Sequence, residues 1–154
     1  MKKSNITNYK KTLSKFTTGI TVVCFRKNKK IYGKTINSFN ALSLKPQLVL
    51  FSLGNYSSNF ENFFNNNFLS INILSKNQKN ISNNFSMKSP KTNIVKFFET
   101  DNHIPLIDGC IANLECKIED KIKKGDHTIF ICKVISVQFN NKLEPLNYFN
   151  SKYL

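Results

Sequence analysis

Apolar residues at Ile6, Tyr9, Leu13 and Phe16 recur on one helical face and predict a helix over 6–16, with Gly19 as its stop. The period then shortens. Ile20 to Phe25 is dense in β-branched and aromatic residues and predicts a strand, interrupted by a charged turn from Arg26 to Lys30. A second strand is expected from Lys30 to Phe39, and Pro46 closes a loop over Leu42–Lys45. Gln47 to Leu53 is apolar on both faces, the pattern of a buried central strand. Ser58 and Glu61 stand at capping-box spacing ahead of a helical stripe of Phe60, Phe63 and Phe64.

Strand character returns from Phe68 to Leu74. Ser75 and Gln78 repeat the capping-box spacing and open a short helix that should bury Ile81 and Phe85. From Met87 to Pro105 the pattern is weak, and a loop with one helical turn around Val95–Phe98 is expected. A clean alternation follows: Cys110, Ala112, Leu114, Cys116 and Ile118 on one face, Asn113, Glu115, Lys117 and Glu119 on the other, which should meet water. Lys121 to Asp126 reads as a charged turn containing Gly125. His127 to Phe139 reads as a long strand antiparallel to its predecessor, with a last short strand near Leu146–Phe149. Many antiparallel strands without βαβ alternation favour a mainly β fold with helical excursions, a barrel rather than a doubly wound sheet. A length of 154 residues fits one domain over 1–154.

The chain carries a formal net charge of +14, a field that attracts phosphates, nucleic acid and anionic membranes. Lys, Asn, Ile and Phe are all spelled by AT-rich codons, so codon bias and a polyanionic partner both remain open as its origin. The four cysteines, Cys24, Cys110, Cys116 and Cys132, form no C-x-x-C pair and fall in apolar segments, as buried reduced thiols would. No apolar leader follows the two starting lysines, and no apolar run approaches a membrane span, so a cytoplasmic protein without membrane contact is expected.

The sequence lacks G-x-G-x-x-G, a Walker loop and G-x-S-x-G, and its two histidines are too few for a His-rich metal site. Carboxylates are scarce. An enzyme built from these residues must borrow its reactive atom from a cofactor. Three segments hold candidate chemistry. Thr35, Asn37 and Ser38 offer hydroxyls and an amide at a strand end, for a heteroaromatic edge or for the backbone of their own turn. Ser57, Ser58 and Asn59 precede a helix, where backbone N–H groups favour a phosphate, unless Ser58 simply caps the helix. His127, beside Asp126, suits a substrate-orienting donor or a satisfied surface histidine.

In order and spacing these segments resemble the flavin reductase-like domain, the FMN-binding split barrel. Phe16-Thr17-Thr18-Gly19-Ile20 is similar to its opening motif, and Thr35-Ile36-Asn37-Ser38-Phe39 with Ser43 and Pro46 to its Thr-x-Asn-Ser-Phe…Ser-x-x-Pro segment. Leu48 to Leu53 with Ser57, Phe68 to Leu74, Pro105 to Gly109, Leu114-Glu115-Cys116 and Gly125-Asp126-His127 complete the series. Ser58 and Asn59 stand where the family often carries a basic residue, and the C-terminal Leu146–Tyr153 segment lacks the family's Arg-Gly pair. The resemblance implies a six-stranded antiparallel split β-barrel, a homodimer, and hydride transfer from NADH or NADPH to FMN or FAD, with an oxygenase component as a further partner and no nucleic acid. It implies that Thr35, Ile36, Asn37 and Ser38 hold the isoalloxazine and ribityl chain, and that Ser52 lines the ring pocket. Ser57, Ser58 and Asn59 would take the phosphate, and His127 would position the reacting rings. A flavin-binding barrel without turnover, and a basic nucleic-acid-binding barrel, are the alternatives.

Overall fold

The protein is described by a computed structural model over residues 3–154; the first of the two starting lysines lies outside the described residues. Helix α1 runs Ile6–Leu13, capped by the Asn5 side chain, which accepts the Asn8 N–H at 2.9 Å. It ends three residues before the apolar period does, because Ser14–Phe16 turn away in tighter bonds. None of its residues is buried: Ile6 is 68% and Leu13 54% exposed.

Strands β1 (Thr18–Gly19), β2 (Thr21–Lys27) and β3 (Lys30–Ile36) follow. The β2–β3 turn is only Asn28 and Lys29, both at positive φ (50° and 62°), so Arg26, Lys27 and Lys30 are strand residues rather than turn. The stretch expected as a loop over Leu42–Lys45 contributes instead to β4 (Asn40–Leu44), which pairs with β5 (Gln47–Gly54). Next come α2 (Phe60–Phe64) and β6 (Phe68–Ile73). A 3₁₀ turn, Lys76–Gln78, then leads into α3 (Lys79–Ser86).

The expected helical turn at Val95–Phe98 is absent. Phe97–Glu99 is strand β7, paired with β8 (Pro105–Ile107), and the nearby 3₁₀ turn lies earlier, at Thr92–Ile94. Strands β9 (Ala112–Lys124) and β10 (His127–Phe139) form a long antiparallel hairpin, and β11 (Asn147–Phe149) and β12 (Lys152–Tyr153) end the chain.

Seven strands make one antiparallel sheet in the order β3-β2-β6-β9-β10-β5-β4, whose two ends do not pair along their length. This is a split barrel, mainly β, and β4 supplies the seventh strand. Its interior is filled by Val23, Phe25, Ile36, Val49, Phe51, Leu53, Leu69, Ile71, Ile118 and Phe130, with Phe60 and Phe63 of α2 closing one end. Phe51 and Phe130 stack at 5.0 Å between centroids, and each fully buried ring contributes about 2–3 kcal/mol. A second core lies on the outer side of β2 and β6, where α3 sets Phe85 against Val22, Cys24 and Leu74. Gly33 permits that approach, since a Cβ there would lie 2.4 Å from Cε1 of Phe85.

The run Gln47–Leu53 is an interior strand, paired with β10 on one side and β4 on the other, but it is not buried on both faces. Its burial alternates, with Val49, Phe51 and Leu53 inward and Leu48, Leu50 and Ser52 half-buried outward. The polar face expected on 112–119 is likewise divided. Asn113 and Glu115 are buried, bonded to Asn72, Ile107 O, Asn102 and Ser136, whereas Lys117 and Glu119 do face water. All four cysteines are buried and unbridged. Among the described residues no helix is long and apolar enough to cross a membrane.

Candidate functional site

Strand pairing brings two of the sequence-predicted residues, Ser52 and His127, onto the outer face of β5 and β10. His127 lies opposite Gly54, Ile129 opposite Ser52, and Ile131 opposite Leu50. Side chains alternate along each strand, so these six positions share the face turned away from the barrel core. They make a half-buried apolar shelf with a histidine at one end and a serine in the middle.

At that end Gly54 leaves a notch. A Cβ on Gly54 would lie 3.3 Å from Ser57 Oγ, 3.7 Å from His127 Nε2 and 3.9 Å from its Cε1. Ser57 and His127, 70 residues apart in sequence, thus converge over a backbone without a side chain. The Ser57 N–H returns to Gly54 O at 2.9 Å, so the turn closes on the strand that carries the notch. On its far side the imidazole Nδ1 lies 2.7 Å from Asp126 Oδ1, which orients the ring and leaves Nε2 toward the notch. That hydrogen bond, reinforced by the charge of the ring when protonated, holds the Asp126 carboxyl below the usual carboxylate range.

Ser38 meets Ser52 through the backbone. The Ser38 hydroxyl donates to Ser52 O at 2.9 Å and accepts the Ser52 N–H at 3.0 Å, closing the barrel where β4 has ended. The Ser52 and Ser57 hydroxyls are half-exposed and have no hydrogen-bond partner among the described residues. Thr35 points elsewhere: its hydroxyl donates to Ser82 O of α3 at 2.7 Å. The Ile36 side chain belongs to the barrel interior, and Asn37 is exposed in the bend that follows. The structure therefore gathers Ser38, Ser52, Ser57 and His127, and sets the Thr35 and Ile36 side chains apart from them.

The capping box expected from Ser58 and Glu61 does not form. Asn59, at φ 64°, is the N-cap of α2, and no side chain caps the helix. Ser58 and Asn59 remain beside Ser57, half-buried, at the mouth of this turn. Lys121, Lys123 and Lys124, expected in a turn, are residues of β9, and the ammonium groups of Lys121 and Lys123 lie 5.5 and 4.9 Å from the Phe64 ring centre.

Sequence reasoning missed three residues here. Gly54 has no motif to announce it, only its place after an apolar strand. Asn55 and its partner Thr128 become visible only once β5 and β10 are paired. The notch, the two hydroxyls without protein partners, and the apolar shelf of Leu50, Ile129 and Ile131 fit a planar, phosphate-bearing cofactor: apolar surface for rings, hydroxyls for the tail. Among the described residues no group of three His, Cys, Asp or Glu side chains is placed to hold a metal ion.

The chain is similar to known flavin reductases. The reductase component of the flavin-dependent trigonelline monooxygenase of Acinetobacter baylyi is 39% identical over 121 residues, 77% of this chain and 39% of that protein. The NADH-dependent FMN reductase SmoA of Agrobacterium fabrum is 33% identical over 131 residues, 85% of this chain and 75% of that protein. The chain thus spans well under half of the first relative and three quarters of the second. Among solved structures, flavin reductase PheA2 superposes with a TM-score of 0.90 at 32% identity, covering 98% of this chain and 97% of that one. The profile of the flavin reductase like domain matches residues 13–154, so the chain belongs to the flavin reductase-like domain family.

Proposed function

We propose that this protein is an NAD(P)H-dependent flavin reductase, moving hydride from the nicotinamide of NADH or NADPH to FMN or FAD. The observation that carries this reading is the convergence of Ser57 Oγ and His127 Nε2 over Gly54, at the end of an apolar shelf on β5 and β10. The bound flavin supplies the redox chemistry as hydride acceptor; the chain supplies position, because stacked rings held at short range need no side-chain base. Ser52 and the backbone of residues 35–38 would border the ring system, with Ser38 fixing the Ser52 backbone. The hydroxyls of Ser57 and Ser58, and the Asn59 amide, would receive the phosphate. His127, oriented by Asp126, would hold the nicotinamide or the flavin edge as a donor rather than act as a base.

The same reading extends to partners. The uncovered stripe of α1 and the exposed Val137 and Phe139 of β10 offer the apolar surface a homodimer would bury. Relatives named as reductase components of monooxygenases support an oxygenase as the consumer of reduced flavin. Four unbridged thiols suit a reducing compartment, the cytoplasm.

The test is direct. Purified protein is mixed with FMN or FAD and with NADH or NADPH, and absorbance near 340 nm is followed; a flavin-dependent fall is expected. A protein that neither quenches flavin fluorescence in titration nor oxidises either nicotinamide overturns the reading. A bound flavin that neither donor bleaches converts it to a flavin-binding barrel without turnover.

A further inference from the structure

Two turns meet at the notch, and one residue joins them. The turn after β5 carries Ser57, and the turn between β9 and β10, Gly125–Asp126, leads directly into His127, the first residue of β10. Asn55 makes three hydrogen bonds, all across to the second turn. Its backbone N–H donates to Asp126 O at 2.9 Å, its Oδ1 accepts the Thr128 hydroxyl at 2.7 Å, and its Nδ2 reaches Gly125 O at 3.4 Å. Thr128 is fully buried, so its hydroxyl has no water to turn to and depends on that acceptor. The two side-chain bonds also settle the amide orientation, since the reverse placement would set Oδ1 against the Gly125 carbonyl oxygen.

Ser57 Oγ and His127 Nε2 both approach the empty Cβ position of Gly54, at 3.3 and 3.7 Å, so their separation depends on how the two turns sit relative to each other. Strand pairing ends at His127 opposite Gly54, and beyond that rung Asn55 carries the hydrogen bonds that span the gap. We propose that Asn55 is a positioning residue that couples the Ser57 turn to the His127 turn, so that flavin and nicotinamide sites keep one fixed geometry. The proposal rests on the flavin reductase reading of this site. Asn55 touches neither ligand in this account; it acts through the two turns.

The test compares wild type with Asn55→Ala, Thr128→Val and the double variant, measuring Kd for FMN by fluorescence titration and KM for NADH. Amide hydrogen exchange over 54–58 and 125–128 is recorded without ligand. Losing one such bond corresponds to about a fivefold change, so Kd and KM should both rise by about that factor in Thr128→Val and by at least that in Asn55→Ala, which also gives up the longer contact to Gly125 O. The double variant should be little worse than Asn55→Ala, which already removes the bond the two side chains share. Exchange should quicken in both turns together. Thr128→Val, which keeps the side-chain volume, carries the test should Asn55→Ala fail to fold. Unchanged Kd and KM, a change in only one of them, additive effects, or faster exchange confined to one turn each overturns the proposal while leaving the flavin reductase reading intact. A wild-type protein that binds no FMN and oxidises no NADH overturns that reading, and the coupling with it.

Discussion

Ser38 stands in for a missing strand rung on Ser52, its single hydroxyl donating to the carbonyl oxygen at 2.9 Å and accepting the N–H at 3.0 Å. Strand β4 covers β5 only as far as Leu50, and without Ser38 the next backbone groups along that edge would have no protein partner. Ser38→Ala should therefore cost about 1–3 kcal/mol and lower Tm by roughly 3–9 °C. Ser38→Thr, which keeps the hydroxyl, should lose less. Thermal melts of the three proteins check both.

Gly54→Ala tests the notch. No positive φ forbids a side chain there, so the variant should fold, with stability changed by less than about 1 kcal/mol. The new methyl would sit between Ser57 Oγ and His127 Nε2. NADH oxidation with FMN should fall about tenfold, a loss that a 1 Å displacement suffices to cause. Steady-state kinetics beside a melting curve separate the two effects.

His127→Ala should raise the apparent KM for the nicotinamide or slow flavin reduction, by about tenfold for one hydrogen-bonding group. The Asp126 carboxyl reports the same pair. Its value is depressed in the folded protein by the bond to His127, so the carboxylate keeps that bond as pH falls through the ordinary carboxylate range and loses it only below it. An NMR titration of the Asp126 carboxyl carbon should move upward in His127→Ala.

The thiols predict an alkaline limit to stability. Burial pushes Cys110 and Cys132 up to about 12, whereas an unfolded thiol ionises near about 8.5. Between those values the unfolded chain has given up protons that the folded chain keeps, so stability is full below the lower value and declines as pH rises toward the higher. The urea midpoint should drop from pH 8 to pH 9.5, with a shallower slope in Cys132→Ala. At pH 8 a thiol reagent should leave the native protein unlabelled and label all four cysteines once it is denatured.

Local signals carried far where local chemistry decides the outcome. Ser75 and Gln78 form both bonds of their capping box, and the period-two runs became strands, although β9 runs on to Lys124 through most of the expected 121–126 turn. The identical spacing of Ser58 and Glu61 misled, because Asn59 takes a left-handed turn and becomes the N-cap itself. Spacing says that a cap is available, not which residue adopts the required backbone. Burial was less legible still. The polar run that includes Asn113 and Glu115 reads as a wet face, yet both are buried, Asn113 against Ile107 of β8 and Glu115 beside Asn102 in the turn between β7 and β8. The candidate site was legible as a set of residues and not as a geometry. Ser57 and His127 meet only through the β5–β10 register, and Thr35, adjacent to the others in sequence, bonds to α3 instead.

Helix α1 has eight residues, none buried, and it is tethered chiefly past its C-terminal end, where Ser14 O accepts the Asn150 N–H and Lys15 reaches the Asn150 side chain. A free peptide of that length scarcely holds a helix in water. In the homodimer proposed above, a second copy lying on Ile6, Tyr9, Leu13 and Phe16 would lend it that winding. The opening segment thereby becomes a built-in gauge: dilute the protein, and the amides of residues 6–13 should be the first to lose protection as the covering surface departs.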